Sequence, residues 1–336
     1  MAAYTTIDDP EAYFQCKLYT GTGSSNALTF DGDTDMQPDF VWIKSRSRTD
    51  KHTAWDSVRG VGRCLFPSEN NADEDQGTGV TAFGSDGFTV GAMNDVNYTD
   101  ATFAAWCWKE SATSGMAITA YTGNGSSDRT VSHGLSAAPE LVMVKNKASA
   151  ENWQIYWNDG TERNGFLNIN NAFVTPATTS IWGTNVPTSS VFYVGDDSST
   201  NSNTVAYISY AFKSKQGFSK FGSYTGNGQT DGPYVFTGFR PAFCLIKRAD
   251  SAASWVLIDN KRSTSSNGNP VDKYFNNNTT DTETTGTTYT KFDFCANGIK
   301  VTEDNTDINA SGGTYIYIAF AEAPLVNSEG VPGNAR

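Results

Sequence analysis

Apolar and polar positions alternate along this chain in short runs, and three of the apolar runs are near copies of one another. Pro38-Asp39-Phe40-Val41-Trp42-Ile43-Lys44, Pro139-Glu140-Leu141-Val142-Met143-Val144-Lys145 and Pro241-Ala242-Phe243-Cys244-Leu245-Ile246-Lys247 each run proline, spacer, four apolar residues, lysine. Their starts lie 101 and 102 positions apart. Four consecutive apolar residues bounded this way predict a short strand buried in a sandwich core. The flanks repeat as well. Ahead of the prolines stand Tyr19-Thr20-Gly21-Thr22-Gly23, Tyr121-Thr122-Gly123-Asn124-Gly125 and Tyr224-Thr225-Gly226-Asn227-Gly228. Eight positions after each lysine comes His52, Trp153 or Trp255, and three further on Trp55, Tyr156 or Ile258.

A period near 100 residues exceeds the roughly 20–50 of a solenoid or propeller unit and suits a complete small domain. The expected organisation is three tandem units, 11–110, 116–213 and 222–323, with an N-terminal arm over 1–10 and a polar tail over 324–336. The arm is expected to be ordered or docked on a neighbour. Within the first unit, 13–19 predicts an edge strand and 52–58 the hairpin partner of the buried strand. An Asp-Gly turn at Asp86-Gly87 joins two late strands. The third unit repeats that turn as Asn297-Gly298. Asn70–Gly79 and Asn276–Thr290 are polar and predict exposed loops. Glu110–Gly115 and Ser214–Gly222 predict linkers.

Six to eight short strands per unit, 13% aromatic residues and many Gly, Ser, Thr, Asn and Asp turn positions predict an all-β chain. The expected fold is three tandem antiparallel β-sandwiches of jelly-roll or concanavalin-like type. The formal net charge of −12 argues against nucleic acid and anionic lipid as partners. The five cysteines fit no zinc spacing, and Cys244 stands where the other repeats carry Val41 and Val142, so they predict reduced core thiols. The N-terminus lacks the basic and apolar regions of a secretory signal, and no apolar run approaches the roughly 20 residues of a membrane span. Synthesis and folding in a cytosol are the corresponding expectation.

One combination of segments carries a family resemblance. Tyr-Thr-Gly-x-Gly, the 38–44 run, Trp55-Asp56-Ser57-Val58-Arg59-Gly60, Ser85-Asp86-Gly87-Phe88-Thr89-Val90-Gly91 and Ala105-Trp106-Cys107-Trp108-Lys109 together resemble a recurrent domain of tailed-phage virion proteins. The similarity is greatest to proteins of marine phages, including those infecting cyanobacteria, and extends to the lectin-like or SPRY-like sandwich group. It is strongest over 4–109 and more degenerate over 117–213 and 222–321. The second unit lacks Asp-Ser-Val-Arg-Gly. The resemblance implies a structural protein on the virion surface: a capsid or head decoration, a head fibre, or a tail component. Other virion proteins would be its partners, with homo-oligomers on the particle.

Candidate chemistry is sparse. Two histidines, His52 and His133, lie in polar or turn-like sequence and give weak support to a nucleophile–base pair. No Walker-type phosphate loop is present, because Tyr-Thr-Gly-Asn-Gly lacks the Gly-Lys-Ser/Thr ending. Its glycines are expected to serve turns. Asp31, Asp33 and Asp35 alternate as calcium ligands can, but Met36 and Trp42 break the EF-hand pattern, so a solvated acidic turn is the favoured expectation. Trp153, Tyr156, Trp157 and Trp182 are the candidate glycan contacts, weighed against core filling, the commoner fate of such rings. No catalytic, cofactor-binding or metal-binding residue is singled out. The expected function is a non-enzymatic virion surface protein. A glycan-recognising tail fibre or tail component is the alternative, and a polysaccharide depolymerase stands third.

Overall fold

The computed structural model describes residues 3–265, 269–285 and 292–333. It is all-β, built from several antiparallel sheets, none of which closes on itself. Each repeat supplies one larger sheet with the same core order. In the first, Phe14–Thr20 pairs with Thr102–Trp108, which pairs with Phe40–Ser45 and then Thr53–Asp56. The second runs Met116–Thr122, Ala206–Phe212, Leu141–Asn146, Gln154–Asn158 and Glu162–Phe166. The third runs Ser219–Thr225, Thr314–Pro324, Phe239–Arg248, Trp255–Asp259, Lys273–Asn276 and Thr284–Thr285. Register repeats too: Phe40 faces Trp108, Leu141 faces Phe212, and Phe243 faces Phe320.

A smaller sheet covers one face of each larger one. Leu28, Phe88 and Val90 of the first small sheet cluster with Val41, Ile43, Phe103 and Cys107. Val131, Phe192 and Val194 do the same with Val142, Val144 and Tyr207. The opposite faces of the large sheets meet one another. Phe40, Leu141 and Phe243, then Trp42, Met143 and Leu245, then Trp108, Phe212 and Phe320, converge on one apolar axial hollow. Three equivalent triads around one line define a pseudo-threefold axis. The central strands are therefore buried on both faces, which is why they read as continuous rather than alternating apolar runs. The repeats do not rest only on the private cores between their own sheets. They also share one.

The repeated Tyr-Thr-Gly-x-Gly segment closes each unit. Its tyrosine stacks on the first aromatic of the closing strand: Tyr19 on Phe103 (5.1 Å), Tyr121 on Tyr207 (5.2 Å) and Tyr224 on Tyr315 (5.0 Å). A buried asparagine holds the turn that follows. Asn201 Oδ1 accepts from Asn124 N (2.9 Å), while its Nδ2 donates to Ser126 O and Gly195 O, both at 2.8 Å. Asn97 and Asn309 make the equivalent bonds. The backbone at Gly123 approaches so closely that a Cβ would lie 1.9 Å from Ser202 O. Gly123→Ala should therefore cost about 3 kcal/mol, read as a lower urea midpoint. A loss below about 1 kcal/mol would show that the turn relaxes.

The arm docks within the same chain. Tyr4 donates to Gly238 O (2.8 Å), Thr5 Oγ1 to Gln216 O (2.7 Å), and Ile7 enters the shared core. Ser328 N donates to Asp8, so the tail meets the arm. Of the predicted second linker, 219–222 lies in the Ser219–Thr225 strand, because Phe221 faces the shared core.

Candidate functional site

The recurrent side chains converge on the seams between repeats. Each repeat lays a strap across the next: Asp73 N bonds Lys147 O (3.0 Å), Phe173 N bonds Ala249 O (2.8 Å), and Glu283 N bonds Arg46 O (2.9 Å). First holds second, second holds third, third holds first. This is head-to-tail association that closes into a ring. Asn70–Gly79 and the described part of 276–290 are thus seam elements rather than free loops; 286–290 falls outside the described residues. Asp73 is buried there because Arg59 and Arg63 neutralise it. At one end of the axis Asn277 Nδ2 donates to Pro67 O (3.3 Å) and Leu167 O (2.9 Å), tying all three repeats.

The repeated lysine is buried in all three repeats, and in two of them it reaches across a seam. Lys44 Nζ donates to Ser45 O (3.0 Å), Arg48 O (3.2 Å) and, across the seam, Thr280 O (3.2 Å). Lys145 Nζ repeats this with Asn146 O, Ser149 O and Asn70 O. Lys247 Nζ reaches Arg248 O and Ser251 O. Burial pushes each of the three amines down to about 8, against the pull of nearby carboxylates such as Asp50, Glu151 and Asp307. Eight residues on, Trp153 Nε1 donates to Phe66 O (2.9 Å) and Trp255 Nε1 to Phe166 O (2.8 Å), each into the preceding repeat. His52 occupies the third such place, edge-on to Phe275, and accepts from Trp42 Nε1 (3.0 Å). Burial holds its pKa well below the usual value, so the ring stays neutral.

Two seams carry a buried charge lock. Asp56 Oδ2 accepts from Arg59 Nε (2.5 Å) and from Tyr210 Oη of the second repeat (2.6 Å). Asp259 Oδ2 accepts from Arg262 Nε (2.5 Å) and from Trp106 Nε1 of the first repeat (3.0 Å). Burial works against the Arg59 charge, yet Tyr210, Asp56 and Asp73 raise its pKa above the ordinary value. In the remaining seam the corresponding positions are Trp157 and Ile318, and Trp157 packs on Phe221 (6.3 Å). Acceptor faces donor in two seams, and apolar faces apolar in the third.

Residues 9–324 match a family described as "Domain of unknown function (DUF7483)". The chain belongs to the DUF7483 family. The match runs through all three repeats as one stretch, as expected where the repeats share a core. No curated protein and no solved structure matches the DUF7483 chain.

The four rings proposed as glycan contacts are not available for that role. Trp153, Tyr156, Trp157 and Trp182 are all buried. Trp153 and Trp157 lie in seams, while Tyr156 packs on Trp182 (5.5 Å) and donates to Glu162 Oε1 (2.8 Å). Polar neighbours in sequence misled here: Tyr156 bonds Glu162 inside its own repeat, Trp153 donates across a seam to Phe66 O, and the Trp157 and Trp182 rings are buried by packing. His52 and His133 are likewise buried rather than set in open turns; His133 Nδ1 accepts from Leu135 N. Asp31 pairs with Lys17 (2.5 Å), and among the described residues no group of three or more His, Cys, Asp and Glu is placed to hold a metal ion. Cys16, Cys64, Cys107 and Cys244 are buried free thiols, and Cys295 is a partly buried one. Among the described residues no helix is long and apolar enough to cross a membrane. Sequence reasoning missed Asn97, Asn201 and Asn309. Each stands six residues before the aromatic that opens the closing strand, a spacing that would have exposed them.

Proposed function

We propose that this DUF7483 protein is a non-enzymatic structural protein of a tailed-phage virion surface, a capsid decoration or knob built from three β-sandwich units of jelly-roll or concanavalin-like type. The observation that carries the reading is the closed head-to-tail ring. Several of the side chains repeated at the long period, among them Lys44, Lys145, Trp153 and Trp255, hold the repeats to one another, and a chain organised that way is a rigid mount. Its quasi-threefold faces would suit a mount of threefold or sixfold symmetry. The resemblance of Tyr-Thr-Gly-x-Gly, Trp55–Gly60 and Ala105–Lys109 to virion-protein domains supplies the setting. Other virion proteins are the proposed partners. A tail component that recognises a host glycan is the second reading, favoured by an exposed aromatic strand described below.

Gold-labelled antibody microscopy on intact particles of the source phage tests this. Label over the head is the expected result. Label confined to the tail would move the protein to host recognition, and absence from purified particles would end the virion reading.

A further inference from the structure

The edge strand Tyr234–Phe236 breaks the pattern of its equivalents. It pairs only with Gly298–Val301 in its sheet, turning Val235 inward and Tyr234 and Phe236 outward, 47% and 51% exposed. Register assigns the matching positions. Tyr234 faces Lys300, as Ala27 faces Thr89 in the first repeat and Thr130 faces Tyr193 in the second. Two residues on, Phe236 stands where the others carry Thr29 and Ser132. Two repeats keep small side chains at these places, and one exposes a pair of large rings. Exposed aromatic area is unfavourable in water, and the inward-facing residue of the strand does the packing, so the fold does not explain the two rings.

The surroundings are polar in a specific way. Lys220 Nζ donates to Phe236 O (2.9 Å) and lies 5.3 Å from the Phe236 ring centre. Tyr234 Oη donates to Asn297 Oδ1. Lys220 also lines an open groove of about 450 Å³ between the second and third repeats, together with Asn158, Asp159 and Ser223. Two rings at i and i+2 stand about 7 Å apart on one face of a strand. That platform offers flat apolar surface, and the groove beside it offers amine, amide, carboxylate and hydroxyl groups. A pyranose is the ligand class with the matching division: an apolar C–H face and a rim of hydroxyls.

We propose that Tyr234 and Phe236 of the third repeat, with Lys220 and the adjoining groove against the second repeat, form a carbohydrate-binding site. Sugar rings stack on the two aromatics, and their hydroxyls bond Lys220 and the groove's Asn158, Asp159 and Ser223. The site does not depend on the virion assignment, since it is a property of the isolated chain.

The test compares the full chain with the double variant Tyr234→Thr/Phe236→Ser, which installs the second repeat's own residues, and with Lys220→Met. Each is applied to an array of bacterial O-antigen and capsular saccharides, followed by calorimetric titration of the best-retained soluble oligosaccharide. The wild type should bind at least one saccharide, the double variant at least tenfold more weakly, and Lys220→Met more weakly at an unchanged Tm. Three results would overturn the proposal: no saccharide retained by the wild type, equal binding by the variants, or self-association of the wild type that the double variant abolishes. The last would make the strand a contact between copies. Should the double variant lose its fold, Lys220→Met decides alone. Microscopy on particles reads location and not binding, so failure of one leaves the other standing.

Discussion

Asp56→Ala is expected to lower the unfolding free energy by about 3–5 kcal/mol. The carboxylate is wholly buried, and its loss strands three donors at once: Arg59 N, Arg59 Nε and the Tyr210 hydroxyl from the neighbouring repeat. Arg59 keeps Asp73 (3.0 Å), which limits but does not cancel the cost. Tyr210→Phe removes only the hydroxyl and should cost about 1 kcal/mol. The double variant should then show coupling, because both changes touch one hydrogen bond. Urea unfolding at neutral pH is the measurement. A loss of less than 1 kcal/mol for Asp56→Ala would mean that water enters the seam and the lock contributes little. The third seam shows that charge is not required for cohesion, since Trp157 fills the acceptor's place with apolar contact. What the locks add is discrimination: an acceptor in one repeat finds a donor only in its proper neighbour.

Stability should rise with pH between about 7 and 9, on the order of 1 kcal/mol for each of Lys44, Lys145 and Lys247. Each amine is pushed down to about 8 in the folded chain, against 10.5 for the ordinary value. Above pH 8 the unfolded chain therefore binds more protons than the folded one, and unfolding becomes less favourable as pH increases. The gain is complete only near 10.5. The thiols oppose it earlier, because burial raises the pKa of Cys16, Cys64 and Cys107 above 9.0. Above pH 9 the unfolded chain loses thiol protons that the folded chain keeps, so the profile should turn over there. Chemical unfolding followed across pH 7–10 under reducing conditions gives the curve. A flat or falling limb between 7 and 9 would show that the carbonyl cages hold the ammonium as firmly as water does. Lys145→Met should remove about a third of the rise.

The threefold repeat, the all-β character and most strand positions were legible in the chain, because period-2 alternation, Asp-Gly and Asn-Gly turns and the 38–44 motif are local signals. The seams were not. A run such as Phe40-Val41-Trp42-Ile43 signals burial without stating which element covers each face. It gave no sign that Phe40 and Trp42 would meet their own copies across an axis. Straps failed for the opposite reason. Asn70–Gly79 and the described part of 276–290 look exposed in composition, yet Asp73 N and Glu283, through both its N–H and its carboxylate, bond a neighbouring repeat, and composition cannot separate that from exposure. Trp153 was open to misreading as a ligand contact, since an indole amid Asn and Thr looks the same whether its partner is a sugar or a carbonyl, and Trp157 because the sequence does not show the seam that buries it. Tyr234 and Phe236 drew no notice because only register shows that their counterparts are Ala27, Thr29, Thr130 and Ser132.

The closed ring has a consequence for dilution. Three separate subunits joined by seams of this kind would come apart as their concentration fell, since association is bimolecular while dissociation is not. Here the first and third repeats meet, through the Arg46–Glu283 pair and the docked arm, as parts of one polymer. The effective concentration of each seam is fixed by the chain and is on the order of millimolar for short connections. Closure is thus independent of how many molecules are present. A lone copy at vanishing abundance keeps the same shape as one in a crowded preparation, and its covalent order lets each third of the ring diverge without having to match itself.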